Sequence, residues 1–291
     1  MKNVILKIEN LTHVFGQDTP FECVALDNIN LDVYDNDFLA IVGRTGSGKS
    51  TLVQHFNALQ KPTSGAVYYK GDNIWQKSFD RRFLRFNVGM AFQYPEYQLF
   101  EETVESDISF GPVNMGLDPD VVKARVSSAM DFVGLDSSLL GVSPFNLSGG
   151  QKRRVALAGV MAIEPEVLIL DEPTAGLDPK GHDEIMSSIN RYRSETEKSV
   201  ILVSHCMEDV LRYADRVAVM RDGKLLAVDS VKKVFSDPDF VKDAGLSLPH
   251  LTRIFSKLNE LGYGFDCSVQ NSAEAVDMIL KKIKRARESG R

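Results

Sequence analysis

Little in this sequence invites a disulfide, a membrane span or a nucleic-acid surface. Its three cysteines, Cys23, Cys206 and Cys267, are scattered, without the close spacing of a zinc or redox motif, and read as reduced thiols of a cytosolic protein. No apolar run approaches the roughly 18 to 20 residues that cross a bilayer as a helix. The opening Met1-Lys2-Asn3-Val4 has no signal-peptide apolar core, so we expect a chain that meets a membrane only through a partner. A formal net charge of −6 gives no global basic face, which argues against nucleic acid as a partner. What remains is an ordinary globular balance, 43% hydrophobic and 25% charged over 291 residues, enough for one large domain plus an appendage or for two small domains.

Apolar patterning divides the chain. Val4 to Glu9 and Ile29 to Tyr34 alternate apolar and polar residues, the pattern of half-exposed antiparallel strands. Phe38-Leu39-Ala40-Ile41-Val42 is continuously apolar, as are Val167 to Leu170 and Val200 to Val203; such runs suit strands buried on both faces. Helical patterns separate them, which predicts an α/β fold with a central parallel sheet and flanking helices. Between Gln93 and Pro165 strand signals largely stop, and Val121 to Val133 and Lys152 to Ile163 are amphipathic helix patterns. A helical subdomain inserted at about 94–165 is therefore expected. Asp222-Gly223, between two apolar runs, marks a hairpin.

After about Ser230 the character changes. Leu251, Ile254, Phe255, Leu258 and Leu261 fall on one helical face, as do Val276, Ile279, Leu280 and Ile283. We expect one domain over 1–229 and a small, mainly helical domain over 230–291. The basic run Lys281 to Arg287 suits the negative end of a helix; contact with lipid headgroups is the alternative.

The chemistry begins at Gly43-Arg44-Thr45-Gly46-Ser47-Gly48-Lys49-Ser50, followed by Thr51 and set between a buried strand and a helix-forming run, the context of a phosphate loop (Walker A). Glycines let backbone N–H groups close around phosphate oxygens, at the positive end of the following helix. Lys49 is expected to supply charge to the β and γ phosphates of ATP, and Ser50 to offer its hydroxyl to Mg²⁺. Val167 to Leu170 runs into Asp171-Glu172, two carboxylates at the C-terminal edge of a parallel sheet, where open α/β folds bind ligands. Successive strand residues point to opposite sides, so the two should have separate tasks. Asp171 is expected on Mg²⁺ by way of water, and Glu172 on the attacking water.

A second anion-seeking element follows another logic. Leu147-Ser148-Gly149-Gly150-Gln151 precedes a strong helix former, and a glycine-led helix start is again a positive terminus. A single phosphate chain has no evident need of both elements within one subunit. LSGGQ resembles the signature of ATP-binding-cassette ATPases, and the resemblance extends in order over residues 4 to about 229. Gln93 stands where that family has its Q-loop, Asp178 within Ala175-Gly176-Leu177-Asp178 where it has its D-loop, and His205 where it has its switch histidine. The resemblance implies a P-loop NTPase: a RecA-like parallel sheet core with an antiparallel β subdomain and the inserted α-helical subdomain, plus the small C-terminal domain. It further implies two cassettes meeting head to tail, with Ser148 and its helix acting in trans on the partner's nucleotide. His205 would contact the γ-phosphate, Gln93 would reach Mg²⁺ and link the site to a transmembrane partner, and Asp178 would couple the two sites. Phe15 stands where the family places an aromatic on adenine, with Phe21 competing for the role and a core position the alternative.

Tyr94-Pro95-Glu96-Tyr97-Gln98-Leu99-Phe100, the stretch to Val104, Asp107 to Pro112, Thr19 to Glu22 and Gly245 to Pro249 look like the energy-coupling factor transporter ATPases, most of all the second of their two paralogous subunits. That resemblance implies a heterodimer with a paralogous ATPase, with a homodimer as the alternative. It also implies a transmembrane coupling protein, small substrate-binding membrane proteins for vitamins or transition-metal ions, and a peripheral place on the cytoplasmic face of the membrane. Tyr94, Tyr97, Leu99 and Phe100, beside Glu96, are candidates for the docking groove, with packing inside the insert as the competing reading. The tail, by analogy, adds dimer contacts. The rival is the ATPase of a conventional binding-protein-dependent importer. Cassette proteins of DNA repair carry coiled-coil insertions and ribosome-associated ones usually carry two cassettes, neither of which this sequence has.

Overall fold

A computed structural model of the protein describes residues 3–269 and 272–288. Strands β1 (Val4–Phe15) and β2 (Cys23–Tyr34) lead into β3 (Phe38–Gly43), the phosphate loop and helix α1 (Lys49–Phe56). β4 (Ser64–Tyr69), the short β5 (Asp72–Asn73), α2 (Arg81–Asn87) and β6 (Val88–Ala91) follow. Helices α3 (Val104–Asn114), α4 (Pro119–Phe132) and α5 (Gly149–Met161) occupy the region expected to be an insert. The chain then returns to the sheet through β7 (Val167–Asp171), α6 (Pro179–Thr196), β8 (Ser199–Val203), α7 (Met207–Tyr213) and the hairpin β9 (Arg216–Arg221) and β10 (Lys224–Ser230). The tail holds α8 (Val231–Phe235), α9 (Pro238–Asp243), α10 (His250–Glu260) and α11 (Ser272–Glu288).

Two sheets form. One is antiparallel, in the order β2-β1-β4-β5; the other runs β10-β9-β3-β8-β7-β6, parallel from β9 to β6 with β10 antiparallel at its edge. β3, β7 and β8 are buried along their whole length, which is why their sequences are unbroken apolar runs. Strand alternation then sorts their side chains between two cores. Ala40, Val42, Leu168, Leu170, Val200 and Leu202 face the helices of the insert and of the early tail. Leu39, Ile41, Ile169, Ile201 and Val203 face α1 and the antiparallel sheet. Each fully buried aliphatic side chain contributes roughly 1.5–3 kcal/mol, so this sandwich is the rigid floor on which the loops at the strand ends stand.

The first two strands run longer than their alternation predicts. β1 is irregular between Ile8 and Leu11 and again near His13, with register shifts against β2. Asn10 and Asn28 sit there in the left-handed region, φ 47° and 53°, and such bulges break a period-two pattern.

In the tail, α8 and α9 place Val231, Val234, Phe235 and Val241 in the insert-side core. A separate cluster around Phe255, Cys267, Val269 and Ala275 begins only with α10. α10 stops at Glu260, which leaves Leu261 outside the helix and 73% exposed. On α11 the expected apolar face is largely open: Val276, Leu280 and Ile283 are exposed, while Ile279 packs on the small cluster. The basic run lies in this helix; the side chains of its last members, Ala286 and Arg287, lie outside the described residues.

Candidate active site

The phosphate loop turns from β3 into α1 by backbone conformations that favour glycine. Gly46 and Gly48 have φ of 81° and 97°. A Cβ on Gly48 would lie 2.6 Å from the Ala25 carbonyl oxygen and one on Gly43 2.4 Å from that of Met220, whereas one on Gly46 would meet nothing within 4 Å. Two glycines are therefore demanded by close packing and the third by its conformation. Lys49, the first residue of α1, is buried, and its ammonium donates to the carbonyls of Gly43 at 2.9 Å and Arg44 at 3.1 Å. Burial pushes its pKa down, against the opposing pull of Glu172 and Asp171. The Ser47 hydroxyl is buried without a hydrogen-bond partner among the described residues. The Arg44 side chain turns away, its Cδ 2.7 Å from where a Cβ on Gly245 would stand.

A cavity of about 410 Å³ opens on this loop, lined by Thr45, Gly46, Gly48, Lys49, Ser50, Thr51, Gln93, Glu172 and His205, and by Phe15, Cys23, Val24 and Ala25. Residues far apart in sequence thus converge at the C-terminal ends of β3, β6, β7 and β8. Phe15 is half-exposed there, with its ring edge-on to His13 at 4.5 Å between centroids. Phe21 is 85% exposed and takes no part in the lining.

The two carboxylates part company for a sharper reason than strand alternation. β7 ends at Asp171, and Glu172 takes a left-handed conformation with φ 51°. Asp171 stays buried and hydrogen-bonded to the Ser50 hydroxyl; burial and the nearby Glu172 charge raise its pKa, opposed by Ser50 and Lys49. Glu172 turns to the cavity rim, where Gln93 donates to Oε2 at 2.8 Å and His205 Nε2 pairs with Oε1 at 2.6 Å. Both of its oxygens are engaged by the side chains at the ends of β6 and β8.

The signature segment lies outside this cavity. Ser148 caps α5, accepting from the Gln151 N–H at 3.3 Å, while the Gln151 side-chain oxygen accepts from the Ser148 N–H at 3.0 Å. None of Leu147, Ser148, Gly149, Gly150 and Gln151 lines the phosphate-loop cavity, and neither does Asp178. Asp178 caps α6, accepting from the Gly181 N–H at 2.9 Å.

Comparison with known proteins bears on the family and the fold. Residues 26–175 match the family model for the ABC transporter. The energy-coupling factor transporter ATP-binding protein EcfA2 of Clostridium tetani is 50% identical over 277 residues, covering 95% of this chain and 96% of its own length. The EcfA2 of Enterococcus faecalis is 45% identical, covering 98% and 99%. Among solved structures, cbiO1 of Clostridium perfringens, described as part of the ABC transporter complex cbiONQ, superposes with a TM-score of 0.74 at 38% identity, over 89% of this chain and all of that one. A dimeric ATP-binding cassette in a post-hydrolysis state with ADP and Pi follows with a TM-score of 0.68 at 26% identity, over 78% of this chain and 98% of that one.

The chain belongs to the ABC transporter family. Within the family it groups with the EcfA2 proteins, which match it over nearly its whole length.

One residue of this ABC cassette escaped the motif reading. Arg153, two residues beyond the signature, is 3% exposed. Its guanidinium donates to both oxygens of Glu96, at 2.9 and 2.6 Å, and to the carbonyls of Ala175 and Pro173 at 2.5 and 3.4 Å. The Tyr94 ring lies 5.6 Å away, within cation–π range. It thereby joins the signature helix to the segment after Gln93 and to the one after Glu172. The sequence carried one clue: Arg153, Leu157 and Met161 form an i, i+4, i+8 stripe whose other members are buried apolar residues, and a charge on such a stripe demands a partner. Glu96 is thus committed within the chain and Leu99 packs on the core, while Tyr97 and Phe100 remain exposed.

Proposed function

We propose that this chain is the ATP-binding and ATP-hydrolysing subunit of an energy-coupling factor transporter, powering uptake of vitamins or transition-metal ions. The observation that carries the reading is the Glu172 carboxylate, held by Gln93 and His205 at the rim of a cavity floored by a phosphate loop. Lys49 lends charge to the β and γ phosphates of ATP, backbone N–H groups of the loop between Gly43 and Thr51 cradle them, and Phe15 rather than Phe21 stacks on the adenine. Ser50 and Asp171 are a hydroxyl and a carboxylate already in contact. Such hard oxygen donors fit Mg²⁺, and the Gln93 side-chain oxygen would join them. When bound, Mg²⁺ neutralises charge on the transferring phosphoryl group.

Glu172 orients and deprotonates the attacking water. Gln93 and His205 hold its two oxygens and so fix its orientation, and His205 reaches the γ-phosphate. General-base help of this kind contributes ~10²- to 10⁴-fold.

The signature helix acts on a second subunit's nucleotide. Within this chain its N-terminus stands apart from the phosphate loop, and a Cβ on Gly149 or Gly150 would meet nothing within 4 Å among the described residues. Their glycine character therefore answers to something outside the described chain. The partner subunit is a paralogous ATPase, and Asp178 couples the two sites. The exposed aromatics Tyr94, Tyr97 and Phe100 receive helices of a transmembrane coupling protein, to which substrate-binding membrane proteins attach. No helix among the described residues is long and apolar enough to cross a membrane, and the cassette sits peripherally on the cytoplasmic face through these partners. Glu172→Gln tests the core of the reading. In the assembled complex it should retain ATP binding and lose steady-state hydrolysis by at least about 10²-fold; turnover at the wild-type rate would reject the assignment. Co-purification in detergent should recover a coupling protein, and a conventional permease in its place would reject the transporter class.

A further inference from the structure

Away from the nucleotide cavity, the first turns of α6 and α7 bring together three side chains that the proposed reaction does not use. Ligand atoms of His182, Cys206 and Asp209 all lie within 4.8 Å of one another. His182 Nε2 is 2.8 Å from Asp209 Oδ2, and the Cys206 thiol, which donates to Glu208 Oε2 at 3.7 Å, has its sulfur within 4.8 Å of both. The Asp209 side chain is only 7% exposed and that of His182 25%. An ion pair accounts for His182 and Asp209, and Cys206 adds a third donor atom of a different kind at the same point.

We propose that His182, Cys206 and Asp209 form a binding site for a divalent transition-metal ion, with zinc the best match. The donor set is one thiolate, one imidazole and one carboxylate, each an established zinc ligand; hard cations such as Mg²⁺ and Ca²⁺ prefer oxygen alone. Zinc bonds of about 2.0–2.3 Å place tetrahedral ligands roughly 3.3–3.8 Å apart, so the imidazole and carboxylate, now at 2.8 Å, part by about half an ångström while the sulfur closes in by about an ångström at most. A water completes the fourth position. A thiolate and a carboxylate neutralise the dication in a half-buried place, and the Glu208 carboxylate beside the thiol adds a further negative charge that favours a cation there. On binding, the thiol proton leaves to solvent. The outer shell is also present. With Nε2 on the metal, His182 Nδ1–H faces Asp183 Oδ1 at 3.5 Å, the carboxylate–histidine arrangement that orients metal-bound imidazoles.

The position gives the site a consequence, which rests on the functional reading above. α6 starts at the Asp178 cap and Cys206 directly follows His205, so the metal ties the Asp178 segment to a residue that holds Glu172. Occupancy acts as a brake on turnover.

Titrating the purified full chain with Co²⁺ tests the site. Saturation of a thiolate-to-cobalt charge-transfer absorption at one equivalent, reversed by Zn²⁺, is expected. Cys206→Ser should abolish the band and His182→Ala should weaken affinity by at least about tenfold. A band that survives Cys206→Ser, and so comes from Cys23 or Cys267, or a wild-type chain with no saturable band, overturns the proposal. The serine hydroxyl keeps a small hydrogen-bond donor beside Glu208, and an unchanged circular dichroism spectrum confirms that this variant folds. In the assembled complex, saturating Zn²⁺ should slow ATP turnover by about fivefold or more and leave Cys206→Ser unaffected; equal sensitivity of the two overturns the brake. A metal-free wild-type complex unable to hydrolyse ATP would count instead against the transporter reading.

Discussion

Arg153→Met should destabilise the protein by about 3–5 kcal/mol, the usual cost of removing one partner of a buried ion pair. Methionine keeps most of the volume, so the loss is electrostatic rather than a cavity. The magnitude follows from what is left behind: a Glu96 side chain 16% exposed with no cation, and the carbonyls of Ala175 and Pro173 without their donor. At about 2 °C per kcal/mol for a chain of this size, the melting midpoint should fall by about 6–10 °C in scanning calorimetry. Glu96→Gln, which keeps an acceptor for the guanidinium, should cost less, about 1–3 kcal/mol, and the double variant should show a coupling of about 1–3 kcal/mol. The pH dependence provides an internal check. Burial opposes ionisation of Glu96, but the Arg153 guanidinium more than offsets it and holds the carboxyl below its ordinary value. A depressed carboxyl stabilises fully above its unfolded pKa and loses that contribution as pH falls through the folded one. The penalty of Arg153→Met should therefore be complete at neutral pH and shrink in acid below about pH 4. Single variants whose costs simply add in the double, or an Arg153→Met midpoint within a degree of wild type, would refute the view of this residue as a fastening.

His55 sits fully buried in α1, its Nδ1–H donating to the Thr51 carbonyl, and burial, with His13 nearby, pushes its pKa down to about 4. A base whose folded pKa is depressed is more easily protonated when unfolded, so stability should drop by roughly 3 kcal/mol as pH falls from about 6.5 to 4; urea titrations of His55→Asn should lack this slope. Gly48→Ala forces a Cβ to within 2.6 Å of the Ala25 carbonyl oxygen at φ 97° and should cost about 1–3 kcal/mol, with a matching loss of ATP affinity measured by calorimetric titration. Mixed dimers carrying Ser148→Arg on this chain and the phosphate-loop Lys→Ala exchange on its paralogous partner should separate the two nucleotide sites. Both lesions then fall on one composite site, leaving about half the wild-type turnover, whereas both on one subunit should disable both sites.

The central sheet was legible because burial on two faces leaves no polar positions: Phe38 to Val42, Val167 to Leu170 and Val200 to Val203 each emerge as strands within a residue of their apolar runs. The antiparallel strands were only half legible. Asn10 and Asn28 interrupt the period with left-handed residues, so alternation read from Glu9 backwards and Ile29 onwards caught one side of each bulge. In the tail, periodicity located α10 and α11 but could not say what covers them, since Val276, Leu280 and Ile283 satisfy a helical stripe equally well whether they meet a core or a partner. The site followed the same division. Residues whose chemistry is local in sequence, the phosphate loop and the Asp171-Glu172 pair, could be named from composition and order alone. The Glu96–Arg153 link could not, because it joins segments 57 residues apart and neither residue stands in a phosphate-binding pattern.

The glycines separate what one chain explains from what it does not. Gly43 and Gly48 answer to atoms of their own subunit, the Met220 and Ala25 carbonyls, and Gly46 to its own backbone angle. Gly149 and Gly150 answer to none of these: their φ values are not positive and a Cβ would find open space among the described residues. An alanine at either place would add about 0.5–1 kcal/mol of helix stability, so the cassette forgoes that gain at the start of α5. Close approach of a phosphate to a bare helix N-terminus is the kind of benefit that offsets it. Gly149→Ala should accordingly raise the melting midpoint of the isolated chain slightly while lowering ATP turnover of the assembled dimer. Loss of turnover accompanied by destabilisation of the isolated chain would place the requirement for glycine inside the subunit, and these two glycines would then give no support to a shared nucleotide.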